Sequence, residues 1–267
     1  MKSKSNIRNL SNLLSCVVAL GIALTTSSSD AATKNESAQQ WDVKALSQAL
    51  ASPTRPQADR DRDSDRKPAQ LMSFFGVTKG MTAMDVIGLD GYLTEVLAIA
   101  VGPTGKVYLQ NGPAALQLRN GAVLKGIESR LANNRLPNVV RVDDNLPNPL
   151  VSANSVDFAV TAMNLHDLVI RGGVPAATAF MKGVYSSLKP GGVLGLVDHV
   201  GTEMGDNTKL HRMPKQQAID IAKASGFIVE AESNLLANPA DDHTSNVLDP
   251  SVRGKTDQFI LRLRKPT

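Results

Sequence analysis

From residue 81 to the end of the chain, short apolar runs alternate with longer segments whose apolar residues recur every three or four positions. The short runs are typical of strands and the longer segments of amphipathic helices. The last run, 257–265, alternates apolar with polar residues, which is typical of a half-exposed strand. Helices are predicted at 41–50, 92–100, 123–133, 175–188 and 214–226. Strands are predicted at 81–87, 106–110, 139–142, 155–163, 193–197, 227–232 and 257–265.

This alternation predicts an α/β fold. It indicates right-handed βαβ units around a parallel sheet, with helices on both faces. Ligands of such sheets bind beyond the carboxyl ends of the strands. We therefore expect a binding site where the loops that leave those ends meet. They lie at 85–91, 110–111, 143–144, 164–167 and 198–199.

Residues 1–32 have the order of a secretory signal peptide, with a basic opening, an apolar run from Leu13 to Leu24 and then small residues. The run has about a dozen residues, fewer than the roughly twenty that span a bilayer. An uncleaved anchor is the alternative. A lipid on Cys16 is not expected, because most of the apolar run follows this residue. We predict an exported protein, periplasmic or secreted, with a tether and helix at 33–54 and one domain at 55–267.

Composition narrows the classes of function. The chain has a net charge of +4, and loss of a leader with three basic residues and one acidic residue lowers it to +2. This balance does not indicate a nucleic-acid surface. Cys16 is the only cysteine, so a processed chain would have no disulfide, thiol nucleophile or cysteine-bound metal. No stable membrane insertion is expected after cleavage, and the oligomeric state is left open.

The segment 55–68 is densely charged. On a helix, Asp59, Arg62, Asp63 and Arg66 would form one stripe of alternating sign. The preferred interpretation is a solvated face with ion pairs along it. The alternative is a polar lid over a ligand pocket.

Read in order, several segments resemble the class I S-adenosylmethionine-dependent methyltransferases across about residues 55–265. Residues 76–82, before a strand that reaches Asp85, are similar to the entry of that family's first motif. Leu146-Pro147 and 155–158 are similar to its adenine loop and fourth strand. Leu-Lys-Pro-Gly-Gly-Val-Leu at 188–194 is similar to the turn into its fifth strand.

Two shorter segments resemble an exported branch of predicted methyltransferases. They are Asn-Leu-His-Asp at 164–167 and Val-Asp-His at 197–199. The resemblance implies a Rossmann-like, seven-stranded, mostly parallel sheet with an antiparallel C-terminal strand. It also implies S-adenosylmethionine as the cofactor and a methyl acceptor, which we expect to be a small molecule.

The turn after the first strand is where the backbone would approach the cofactor, because a side chain there would collide with it. The family pattern has glycine at positions 87, 89 and 91, and this chain has Ile87, Leu89 and Gly91. Gly88 is a displaced glycine. We predict that Asp85, Gly88 and Gly91 lie around the cofactor.

The following strands supply further cofactor candidates. Asn111 follows the second strand. Its amide can accept a hydrogen bond from one ribose hydroxyl and donate one to another, although without the charge of a carboxylate. Alternatively, Asn111 simply begins a turn. Asp143 or its neighbour Asp144 can accept a hydrogen bond from the adenine amino group. For Asp143 we prefer this role to the alternative, in which it is only a solvated carboxylate in a loop. Asn164 completes the predicted cofactor set.

Methyl transfer requires positioning and often a base for the acceptor's proton. His166 and His199 lie at the ends of two predicted strands, and histidine titrates near neutrality. Asp167 and Asp198 are neighbours that can orient an imidazole. We take His166, Asp167 and His199 as the catalytic candidates, the alternative being that each histidine is only a hydrogen-bonded structural residue.

Two other polar clusters carry less weight. His211-Arg212 is interpreted as a capping or surface pair, with a substrate-anion contact as the alternative. His243 with Asp241 and Asp242 lies in a loop rich in Pro, Asn and Asp. No metal site is assigned from the sequence.

Two functions are compatible with the pattern, and a third is disfavoured. The first is an S-adenosylmethionine-dependent methyltransferase. The second is an exported binding protein that keeps the scaffold after its cofactor turn has degenerated, which Ile87 and Leu89 favour. A nicotinamide-dependent oxidoreductase requires Gly-x-Gly-x-x-Gly after the first strand, and 87–93 does not supply it.

Overall fold

The computed structural model describes residues 41–148 and 151–267. The predicted signal peptide and tether, 1–40, lie outside the described residues. Within them, seven strands form one sheet: β1 (Thr82–Val86), β2 (Lys106–Gln110), β3 (Val139–Val142), β4 (Val156–Ala162), β5 (Leu188–His199), β6 (Ile228–Ser233) and β7 (Gln258–Arg264).

The strands lie side by side in the order β3-β2-β1-β4-β5-β7-β6. The first five are parallel, and β7 runs antiparallel to both β5 and β6. Val86, Gln110 and Val142 are in register across β1, β2 and β3. The carboxyl ends of the parallel strands therefore meet at one edge of the sheet. This confirms the predicted seven-stranded, mostly parallel fold.

Helices cover both faces. Their bounds are α1 (Val43–Leu50), α2 (Gln57–Arg60), α3 (Asp63–Arg66), α4 (Pro68–Phe75), α5 (Tyr92–Val101), α6 (Pro113–Leu116), α7 (Leu118–Leu131), α8 (Leu165–Ser187), α9 (Asn207–Leu210) and α10 (Lys215–Ala224), with a 3-10 turn at Ala132–Asn134. Among the described residues, none of these helices is both long enough and apolar enough to cross a bilayer.

Alternate residues of β1 enter different cores, because successive side chains of a strand point to opposite faces. Met84 and Val86 pack with α8 and α10, whereas Ala83 packs with α1, α4 and α5. Leu46 and Leu50 of α1 belong to that second core.

Three sequence predictions about elements need correction. Strand β7 is mostly buried, not half-exposed, because it lies between β5 and β6. Helix α8 begins at Leu165, ten residues before the predicted start. Gly173, at φ 72°, interrupts it. The glycines and Pro175 at this break usually mark a helix end, so the sequence pattern does not reveal the turns of α8 that precede them. Strand β5 begins at Leu188, so the Lys-Pro-Gly-Gly segment belongs to it.

The charged segment 55–68 is not a solvated face. It forms the short helices α2 and α3, and Asp59 is only 3 % exposed. Asp63 accepts hydrogen bonds from the buried guanidinium of Arg55 and, at 2.7 Å, from the hydroxyl of Tyr92. The prediction of a solvated face was therefore wrong, because Asp59 and Asp63 pair with the body of the fold, although the predicted ion pairing within the stripe does occur between Asp59 and Arg62.

Arg130 of α7 is the centre of this buried ion network. Its guanidinium bonds Asp59 at 2.7 Å and Glu95 at 2.5 Å, and its Nε donates to the carbonyl of Asp90 at 2.6 Å. Arg135 binds the other oxygen of Glu95. The network thus joins α2, α5 and α7 to the turn that follows β1.

Replacing Arg130 by Met should lower the free energy of unfolding by about 3 kcal/mol, since two buried carboxylates lose a partner. The matched control is Arg141→Met, which breaks a partly exposed pair with Asp143 and should cost less than about 0.5 kcal/mol. Urea denaturation measures both. Equal values for the two variants would contradict the role assigned to Arg130.

Candidate functional site

The turn between β1 and α5 has an unusual backbone. Ile87, Leu89 and Gly91 all have positive φ, at 53°, 50° and 85°. These are the three positions at which the family pattern has glycine. For a residue with a Cβ this conformation costs roughly 1–2 kcal/mol, and for a β-branched residue such as Ile87 it is rare. The chain therefore keeps the left-handed path of a glycine turn with two bulky side chains on it.

Hydrogen bonds from the end of β2 hold this turn. Asn111 accepts from the main-chain N–H of Leu89 at 2.9 Å and donates to its carbonyl at 3.1 Å. Gln110 accepts from the N–H of Ile87 at 3.1 Å and donates to the carbonyl of Asp144 at 2.7 Å. Both side chains are buried. Asn111 therefore holds the turn by two hydrogen bonds, and no space for a ligand separates its amide from Leu89.

The side chains of the turn point toward different cores. Ile87 packs against the core of α8 and α10, and Leu89 against a small cluster of Leu109, Leu116 and Ile127. Gly88 is required by close packing, since a Cβ there would lie 2.6 Å from Oδ2 of Asp85. A Cβ on Gly91 would lie 3.0 Å from Arg130. The two predicted glycines thus face protein atoms.

Asp85 lies inside the fold, 2 % exposed, where Thr94 donates to its Oδ2 at 2.7 Å. Burial raises the pKa of Asp85 to about 6, and the hydrogen bond from Thr94 opposes this rise. The carboxyl group is therefore part of the contact between β1 and α5.

The remaining cofactor candidates are spread along the same edge of the sheet. Asp143 is exposed and paired with Arg141 at 2.5 Å. Asn164 is 9 % exposed, and its Nδ2 donates to Thr161 Oγ1 at 3.0 Å and to the carbonyl of Ile87 at 3.3 Å. Asn164 thus connects β4 to the turn after β1, whereas Asp143 stands apart in solvent.

A cavity of about 520 Å³ adjoins the turn on its outer side. Asp90, Arg130 and Arg135 are among its lining residues, together with residues 53–57. Gly88, Asn111 and Asn164 do not line it. Of the turn, only Asp90 reaches this cavity.

The catalytic candidates meet at the carboxyl ends of β4 and β5. Nδ1 of His166 lies 2.6 Å from Oδ1 of Asp198, and Oδ2 of Asp198 accepts from the main-chain N–H of His166 at 3.0 Å. Burial alone lowers the pKa of His166, but the hydrogen bond and charge of Asp198 outweigh it and raise the pKa above its usual value. Asp198 is fully buried, and its bond to His166 holds its own pKa below the usual range despite burial.

The ring of His199 lies 5.5 Å from that of His166, and its Nδ1 is 2.8 Å from the hydroxyl of Thr256. Burial lowers the pKa of His199 to about 4. The two predicted histidines therefore differ, since Asp198 raises the pKa of His166, whereas burial keeps His199 neutral near pH 7.

Asp167 contacts histidines on two elements. Its Oδ1 is 3.5 Å from Nε2 of His166 and 3.0 Å from Nδ1 of His211. His211, at the end of α9, lies 44 residues from Asp167 along the chain and is about one-third exposed. The structure therefore adds His211 to the site, and His166, Asp167, Asp198 and His199 do meet there.

His211 is the C-cap of α9, as the capping interpretation predicted, but Arg212 is not a surface residue. Arg212 is 1 % exposed and forms a bidentate pair with Asp241 at 2.8 and 3.0 Å. It also donates to the carbonyl of Val200 at 3.1 Å, which anchors the segment beside β5. The side chain of His243 bonds Asp257 at 3.0 Å, and its main-chain N–H donates to Asp241.

Sequence reasoning placed Gln110 in an expected site loop without a role, overlooked Thr256 and set His211 aside. The only signal for Gln110 in the sequence was its position at the end of a strand. His211 and Thr256 come from segments outside the predicted strand ends, so only the folded chain brings them to the site.

Solved structures share this architecture. An S-adenosylmethionine-dependent methyltransferase from Aquifex aeolicus is 18 % identical, with a TM-score of 0.56, and the match covers 84 % of this chain and 99 % of that one. The chain has the fold of the class I methyltransferases. The cyclase SpnF matches with 17 % identity and the same TM-score over 81 % of this chain and 86 % of its own.

No family profile and no curated protein matches the sequence. Since SpnF is named as a cyclase, the methyltransferase fold by itself does not fix the reaction.

The pH dependence of stability tests the burial of Asp85. Its carboxyl binds a proton more tightly in the folded chain, so its contribution is fully present below pH 3.8 and is lost as the pH rises through about 6. Asp85→Asn removes this dependence. From pH 4 to 7, the variant should gain about 2.4 kcal/mol in free energy of unfolding relative to the parent chain. A difference that does not vary with pH would contradict the assignment.

Proposed function

We propose that this protein is an S-adenosylmethionine-dependent methyltransferase that acts on a small molecule. The observation that carries the proposal is the left-handed backbone at Ile87, Leu89 and Gly91. Strained backbone persists when the surrounding structure holds it, and it concentrates at functional sites. Nothing in Ile87 or Leu89 favours the left-handed path, yet the turn keeps it. This supports a turn whose main chain is held for the close approach of a cofactor.

The other end of the proposed site supports a small acceptor. His166 and His199 are 4 % and 8 % exposed, so they are recessed below the surface. A small functional group can reach them, whereas a folded macromolecule would need to open the site. In this proposal Asp85, Gly88, Gly91, Asn111, Asp143 and Asn164 shape the cofactor side, and His166, Asp167 and His199 the acceptor side.

If the cofactor side is assigned in this way, the contacts of Asn111, Asn164 and Gly88 with the protein give these residues a positioning role. Asn111 and Asn164 hold the turn by main-chain hydrogen bonds, and Gly88 permits its contact with Asp85. A cofactor would therefore meet the backbone that these residues fix. Their substitution should weaken binding by moving the turn.

The second candidate is an exported binding protein on a degenerate methyltransferase scaffold. A specific observation favours it, because both polar groups of the Asn111 amide are already bonded to the main chain of Leu89. An amide in this arrangement offers little to a ribose. The bulky side chains of Ile87 and Leu89 favour the same alternative.

Calorimetry with S-adenosylhomocysteine distinguishes the two functions. The methyltransferase proposal expects saturable heat from the parent chain. Binding only by the double variant Ile87→Gly/Leu89→Gly would favour the degenerate protein instead. Absence of binding by both chains at millimolar ligand would overturn both assignments of this turn to an adenosyl cofactor.

The matched control is Arg119→Gly/Asn120→Gly. Both residues are exposed, and both have φ of 55° on α7. This variant relieves the same backbone strain away from the turn. It should leave binding unchanged, so a gain in it would show a general effect of added glycine.

We further propose that the chain is exported to the periplasm or secreted after cleavage near residue 32. The basic and apolar leader supports this. N-terminal sequencing of the protein from a cell fraction outside the cytoplasm should begin near Thr33. A cytoplasmic chain that retains Met1 would contradict export.

A further inference from the structure

Three potential metal-ligand side chains converge at the carboxyl ends of β4 and β5. Ligand atoms of His166, Asp167 and His211 all lie within 4.8 Å of one another. His166 and Asp167 begin α8, and His211 follows α9. Together they supply two imidazole nitrogens and one carboxylate oxygen.

The separations fit one ion bound by all three. Metal–ligand bonds of about 2.0–2.2 Å in a tetrahedral site place ligand atoms about 3.3 Å apart. Oδ1 of Asp167 lies 3.5 Å from Nε2 of His166 and 3.0 Å from Nδ1 of His211. The rings of His166 and His211 are nearly perpendicular, at 81°. The two imidazole nitrogens lie within 4.8 Å of each other, so small side-chain rotations would bring all three atoms to coordination distance.

The second nitrogen of His166 is held as in protein metal sites. Metal-binding histidines commonly donate their other N–H to a carboxylate, which fixes the ring and makes the ligand nitrogen more basic. Nδ1 of His166 lies 2.6 Å from the fully buried Asp198. This bond leaves Nε2 directed toward Asp167.

The other two ligands are also positioned. Arg171 bonds Oδ2 of Asp167 at 3.2 Å, which leaves Oδ1 for the histidines. Next to His211, Arg212 is buried and paired with Asp241, so the main chain beside the ligand is anchored. Asp167 and His211 are each 32 % exposed, which gives an ion a path from solvent.

We propose that His166, Asp167 and His211 bind a divalent transition-metal ion, with Asp198 as the carboxylate that orients His166. Two imidazoles and one carboxylate suit Zn²⁺ or Fe²⁺, whereas Mg²⁺ and Ca²⁺ prefer oxygen ligands. Three protein ligands leave at least one coordination position for water or a small molecule. The inference goes beyond methyl transfer and does not depend on a cofactor.

Calorimetry with Zn²⁺ and absorption spectroscopy with Co²⁺ test the proposal on the untagged full chain. One ion per chain is expected, with a Co²⁺ spectrum that includes nitrogen ligation and little heat from Mg²⁺. His211→Gln and Asp167→Asn alter partly exposed side chains and should each weaken Zn²⁺ binding by about 100-fold or more.

His243→Gln is the matched control, because it removes a histidine that is likewise bonded to an aspartate. It should leave Zn²⁺ affinity unchanged, and circular dichroism should show that all three variants are folded. No Zn²⁺ binding by the parent chain would overturn the proposal. Equal affinity in the parent, His211→Gln and Asp167→Asn would also overturn it, as would a preference for Mg²⁺.

Discussion

In-register pairing of five parallel strands is the constraint on which the candidate site depends. It brings the ends of β1, β2 and β3 to one level and places the ends of β4 and β5 beside them. Loops that are far apart in the sequence therefore converge on one edge. The turn after β1 and the histidines after β4 and β5 are neighbours for this reason.

The turn after β1 shows how a local conflict is resolved by its surroundings. Ile87 and Leu89 disfavour the left-handed backbone that they adopt. Three hydrogen bonds between the turn and the side chains of Gln110 and Asn111, together with the packing of Leu89, compensate. The same contacts that preserve the path also occupy the polar groups of Asn111. One pair of hydrogen bonds thus both holds the backbone path and engages the amide of Asn111.

The histidine cluster depends on a single buried carboxylate. Asp198 accepts from both the ring and the main chain of His166 and from the main chain of His199. It therefore joins the start of α8 to the end of β5. A buried carboxylate is tolerated there because each of its oxygens is hydrogen-bonded. This contact gives His166 one fixed orientation, with its free nitrogen toward Asp167 and His211.

The sequence by itself determined the sheet, the position of its turns and the polar residues at the strand ends, because periodicity and glycine placement are local properties. It also placed Asp85 and Asn111 at the right strand ends, although not their partners. Only the tertiary structure decided which groups pair. Asp198 is adjacent to His199, yet its carboxylate meets the ring of His166, because the parallel pairing of β4 with β5 places the start of α8 beside the end of β5. Asp167 likewise meets His211 across 44 residues, a contact that depends on packing between segments and has no local pattern.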